Sequence, residues 1–91
     1  MCTSILEVVS VEGAGKGESG WFALTRAVVS YDHPHHALLE DAILLDFVNA
    51  AQGPSARVAV ELALGSAKAL SAALARAIAA AETEEAARAR G

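Results

Sequence analysis

The chain has 91 residues, 54% of them apolar and 4% aromatic, with a formal net charge of −4. That apolar share excludes a disordered chain, and seven thinly spread basic residues exclude the clustered cationic face that a nucleic-acid backbone requires. One small domain is expected, with a core drawn mainly from Val, Leu and Ile; a homo-oligomer, dimer or higher, would supply the burial that so small a core lacks.

In chain order, residues 3–11 are short and rich in β-branched side chains, which predicts a strand. Residues 12–20 hold four glycines, Gly13, Gly15, Gly17 and Gly20, and read as a hairpin connection longer than the tightest kind. Gly13-Ala14-Gly15-Lys16-Gly17 resembles a phosphate-binding loop only superficially. No Ser or Thr follows Gly15-Lys16, and a strand follows where a helix is needed.

Residues 21–31 predict a second strand with apolar groups on both faces, hence covered on both sides. Trp21 and Phe22 suit core packing, or else a pocket or subunit contact. Pro34 interrupts pairing because it has no N–H to donate. Residues 42–48 predict a third strand, in which Asp46 needs a partner, either Arg26 or Arg57. Gly53-Pro54 marks a turn, and residues 56–62 alternate as a fourth strand with Val58, Val60 and Leu62 inward.

Ser66 then suits the N-cap of one long helix whose apolar stripe is Leu70, Leu74 and Ile78, with Ala67, Ala77 and Ala81 beside it. Residues 83–91 form a charged extension expected to fray, leaving residues 1–82 as the domain. The order β-β-β-β-α predicts an α+β fold, an antiparallel four-stranded sheet packed by one C-terminal helix.

The only histidines, His33, His35 and His36, lie within four residues of one another in the polar loop between the second and third strands. Imidazole is the commonest protein metal ligand and the side chain most easily switched near neutral pH. An extended loop would point His33 and His35 the same way. A helical turn opened by Pro34 would bring His36 and Glu40 to one face with His33 beside them.

The second arrangement offers two nitrogens and a carboxylate, suited to zinc or to iron, copper or nickel. Cys2 could add a thiolate, and Asp32 could be a further ligand or orient an imidazole. Such a divalent transition-metal site keeps an open position, so a metal-dependent lyase, isomerase or hydrolase acting on a small molecule is the leading expectation, with His33 and His36 as catalytic residues. Against it stand a solvated polar loop, a metal-free small-molecule binder with a histidine acid–base, and a non-catalytic accessory module that uses an exposed sheet face. Removal of Met1 would expose Cys2 as a terminal nucleophile, although a small packed cysteine is the commoner outcome.

A lone cysteine fits a reducing cytoplasm. The start shows no secretory pattern, and no run approaches the ~20 apolar residues of a membrane span. The expected location is therefore cytoplasmic, with no nucleic-acid or membrane partner.

Met1-Cys2-Thr3, Gly20-Trp21-Phe22 with Leu24-Thr25, Tyr31-Asp32-His33-Pro34 with His36-Ala37, and Gly53-Pro54-Ser55-Ala56-Arg57-Val58 together resemble a family of short bacterial proteins of unknown function. The likeness runs from the start to about residue 80. It implies no activity, but it includes the positions of His33, His36 and Glu40 and so favours the helical-turn set.

Overall fold

A computed structural model describes residues 5–90. Four strands, β1 (Leu6–Gly17), β2 (Gly20–Asp32), β3 (Ala42–Val48) and β4 (Arg57–Leu62), form one antiparallel sheet in the order β1-β2-β3-β4. One helix, α1 (Leu64–Arg90), follows, which gives the expected α+β arrangement. Consecutive strands pair with consecutive strands, so short connections suffice throughout.

The first hairpin differs from its sequence reading. β1 runs on through the glycines to Gly17, and only Glu18 and Ser19 turn the chain before Gly20, whose φ is +114°. The glycines serve close packing instead. A Cβ at Gly15 would stand 3.0 Å from Leu24 Cδ2 and 3.3 Å from Val58 Cγ2. A Cβ at Gly17 would stand 3.0 Å from the Phe22 ring and 3.5 Å from the Arg57 carbonyl oxygen. The distal end of the hairpin thus curls over the inward face until β1 lies against β4.

Two irregularities permit the curl. Pairing of β1 with β2 slips between Ser10 and Gly13, where β1 carries one extra residue. On β2, Phe22 and Leu24 are half-buried, Thr25 and Arg26 are both exposed, and Ala27 is buried. The inward phase therefore passes from even to odd positions at this bend. A strand expected to be covered on both sides is a bent strand whose two halves present different residues to one side. Trp21 accordingly points outward, 72% exposed, while Phe22 turns in.

Register then fixes two faces. Ala27, Val29 and Tyr31 align with Phe47, Leu45 and Ile43, and these with Val58, Val60 and Leu62, as the inward face. Ser30 aligns with Leu44 and Glu61 on the opposite face. Asp46 takes Arg57 as its partner, with Nε 2.7 Å from Oδ1, in place of the alternative Arg26.

Twelve alanines explain why residues 64–90 are helical: alanine has the best helix propensity, and a helix this long exceeds the ~12–15 residues below which isolated helices are marginal. The helix begins at Leu64, with Ala67 N–H bonded to Ala63 O at 2.9 Å, so Ser66 lies inside the first turn and is not the cap. It is helical through Arg90, and Arg88 and Arg90 sit favourably in its last turn.

Only its first turns approach the sheet, where Leu64, Ala67, Lys68, Ser71 and Ala75 line an open groove with Val29 and Ile43. No residue of α1 is buried, and the Leu70, Leu74 and Ile78 stripe stands 50%, 58% and 51% exposed. By length and composition α1 could cross a membrane, its apolar stretch reaching a mean hydropathy of 1.2. Lys68 and Arg76 lie within that stretch, and each cation near a bilayer centre costs about 2.5–3.5 kcal/mol.

The core is correspondingly thin. The buried apolar residues among those described are Ala27, Ala42 and Ala56, and none of the described large side chains is fully buried.

Candidate functional site

The histidine loop leaves β2 at Asp32 and rejoins β3 at Ala42, at the end of the sheet where β4 hands over to α1. It is a series of bends and contains no helical turn. One element secures it. Glu61 Oε2 on β4 accepts the His35 N–H at 2.7 Å, and Oε1 accepts those of His36 at 2.9 Å and Ala37 at 2.7 Å. Because Glu61 belongs to the outward face, the loop folds over the side of the sheet opposite α1. His36, Ala37, Ala59 and Glu61 line a shallow open groove there.

Three N–H donors on one carboxylate favour its ionised form. The Ala37 and His35 bonds contribute most to holding the Glu61 pKa below its ordinary value of 4.5.

His33 is fixed differently. Its N–H donates to Asp32 Oδ1 at 2.7 Å, while its ring Nδ1 faces Glu40 O at 3.0 Å and Asp41 Oδ1 at 3.2 Å. Both ring partners are acceptors, so Nδ1 carries the proton. The Glu40 carbonyl, followed by the Asp41 charge, raises the His33 pKa above 6.5. Asp32 thus holds the His33 backbone and adds its charge near the ring, while Asp41 and the Glu40 carbonyl face Nδ1.

The structure thus brings His33 to the backbone of Glu40, while the peptide N–H groups of His35 and His36 go to Glu61. The His33, His35, His36 and Glu40 residues are all exposed. Among the described residues, no group of three His, Cys, Asp or Glu side chains is arranged to hold a metal ion. Cys2 lies outside the described residues. Glu61 and Asp41 were not singled out by the sequence. An acidic residue alone in the alternating strand 56–62 was the available signal for Glu61, and adjacency to Glu40 the only one for Asp41.

At the far end of the same strands, the Asn49 side chain is buried, with 7% of the residue exposed. Its Nδ2 donates to Ala23 O at 3.0 Å and its Oδ1 accepts the Ala51 N–H at 3.2 Å, tying the β3–β4 connection to β2. The Asn49 N–H also donates to Ala56 O at 3.1 Å. This is a structural anchor, at the opposite end of the sheet from the histidines.

No curated protein and no solved structure matches the chain. A family model does, over residues 1–87, nearly the whole sequence and every element up to the last turn of α1. The chain belongs to a family of unknown function, DUF6295.

Proposed function

We propose that this protein is a non-catalytic interaction module that works by assembling through its apolar surface. One observation carries the reading. The chain exposes 6902 Å², whereas a folded monomer of its 9.3 kDa exposes about 5,000 Å². Its radius of gyration is 15.7 Å, against about 12 Å for a compact domain of this length. That surface includes large apolar side chains: Ile5 just before β1, Leu6, Val8 and Val9 along β1, and Leu64, Leu70, Leu74 and Ile78 along α1 are each about half exposed or more. The histidines are solvated, and among the described residues no enclosed apolar cavity converges on His33.

Light scattering on the eluting protein across a hundredfold concentration range tests the reading, with hydrogen exchange on the same sample. A mass above one chain, with α1 or β1 amides protected, supports it; a monomer at every concentration ends it.

The arrangement around His33 favours a second reading, a metal site in the loop. Metal-bound imidazoles commonly donate their other ring N–H to a carbonyl or carboxylate, which is the environment Nδ1 has here. Nε2 of His33 would then bind zinc, iron, copper or nickel, with the loop rearranged to bring in the His36 ring and the Glu40 carboxylate, and Cys2 as a further ligand. An open position on that metal would serve a small-molecule lyase, isomerase or hydrolase. Elemental analysis of the purified protein, before and after zinc is added, decides it. Near-stoichiometric metal that is lost in a His33→Ala/His36→Ala double variant supports the site; metal-free protein that rejects zinc, iron, nickel and copper excludes it.

A further inference from the structure

Resting on the assembly reading, we infer that the partner of α1 is a second copy of this chain, paired antiparallel along Leu70, Leu74 and Ile78 with Leu74 at the two-fold axis. Three observations converge.

The first is the direction of the stripe. The side of α1 that lines the groove with Val29 and Ile43 carries Leu64, Ala67, Lys68, Ser71 and Ala75. Leu70, Leu74 and Ile78 lie about a quarter turn further round the helix. The helix's own sheet therefore does not cover its three large side chains, all of which are at least half exposed. Ala67, Ala77 and Ala81 beside them let another helix approach within about 8–10 Å.

The second is area. The surface in excess of a compact monomer, about 1,900 Å² per chain, falls within the roughly 1,000–2,500 Å² that each subunit of an obligate homodimer buries. That excess includes exposed side chains of β1 as well as the α1 stripe, so the helix pair accounts for the α1 share of it.

The third is charge, which selects the direction. Continued toward the C-terminus, the stripe reaches Glu85 and Arg88. Parallel pairing would set each of these against its own copy, carboxylate on carboxylate and guanidinium on guanidinium. Antiparallel pairing centred on Leu74 sets Leu70 against Ile78 and Ala67 against Ala81. It also removes those like-charge pairs, since Glu82 and Glu84 then fall against Ser66 and Leu64, and it opposes the helix dipoles. Such an interface is isologous, so the residue at its axis meets itself.

Single-cysteine variants in a Cys2→Ser background test the geometry. Under mild oxidation Leu74→Cys should cross-link to dimer, and Leu70→Cys alone should not. An equimolar mixture of Leu70→Cys and Ile78→Cys, refolded together, should give the mixed dimer. Leu74→Glu should weaken association on the order of 100-fold while retaining the helical circular dichroism.

A dimer by light scattering in which Leu70→Cys cross-links to itself, or in which no helix position cross-links, overturns this pairing and leaves the assembly reading standing. A monomer at all concentrations overturns both. Co-sedimentation of the chain with phosphatidylcholine–phosphatidylglycerol vesicles, in place of dimer formation, would make α1 a membrane segment and overturn the pairing as well.

Discussion

Glu61 holds Ala37 across 24 positions of sequence, its carboxylate accepting the Ala37 N–H at 2.7 Å while the same group takes the N–H groups of His35 and His36. One side chain of β4 therefore sets the course of the loop that contains every histidine of the protein. A glutamine in its place keeps one acceptor oxygen but presents a donor where Oε1 or Oε2 accepts now, and it loses the charge that strengthens all three bonds. Glu61→Gln should leave the sheet intact and speed amide exchange at His35, His36 and Ala37 selectively. Residue-resolved hydrogen exchange checks this. Equal acceleration in β2 and β3 would mean that Glu61 supports the whole sheet and not the loop.

The two titrating groups that secure the loop set its pH range. The Glu61 pKa is depressed, so its contribution is present above about 4.5 and is lost as pH falls through the lower folded value. The His33 pKa is raised, so its contribution is full below 6.5 and is lost as pH rises through the higher folded value. The loop should be most ordered between these limits, in mildly acidic solution. Proton NMR titration of the imidazole resonances should place His33 above 6.5. Asp41→Asn should lower that value yet leave part of the upward shift, because the Glu40 carbonyl is the larger cause. A His33 that titrates at or below 6.5 would show that the ring does not hold its two acceptors in solution.

Much of the fold was legible in the sequence because its signals are local. β-Branched runs make β3 and β4, and alanine makes α1, whatever lies around them. The glycines of residues 12–20 misled because glycine marks both turns and close approaches. Here Gly15 and Gly17 let β1 come against Val58 and Arg57, contacts 43 and 40 residues away in sequence. Alternation misled at Trp21 for a related reason, since the bend at Thr25 and Arg26 exchanges the inward phase. The histidine loop stood out by composition alone, but what holds it could not. Glu61 acts on peptide N–H groups, which every residue but proline possesses, so no side-chain pattern in the loop announces its partner.

Asn49 is the buried polar residue on which the β3–β4 connection depends. Asn49→Ala removes the acceptor for the Ala51 N–H and the donor to Ala23 O together. Loss of the cap costs about 1 kcal/mol, and leaving a part-buried carbonyl unpaired adds about 1 kcal/mol more. At roughly 4–8 °C per kcal/mol for a domain of this size, Tm should fall by about 8–16 °C. Asn49→Asp should recover the acceptor and therefore part of the loss. Thermal unfolding of the three proteins followed by circular dichroism measures the series, and an Ala variant within 2 °C or so of the parent would remove Asn49 as an anchor.

Gly53 ends the short 3-10 turn Ala50–Gln52 with φ +93° and ψ 176°, a backbone conformation that L side chains rarely adopt. A Cβ there would meet nothing within 4 Å, so any cost of Gly53→Ala is conformational and not steric. It should amount to about 1–3 kcal/mol. Gly13→Ala is the matched control: its Cβ likewise meets nothing within 4 Å, and its φ is not positive. Without strain, that change should be neutral or slightly stabilising, since it restricts the unfolded chain. Urea unfolding of both variants separates the two effects. Equal midpoints for Gly53→Ala and the parent would show that the turn relaxes to an ordinary backbone once a side chain is present.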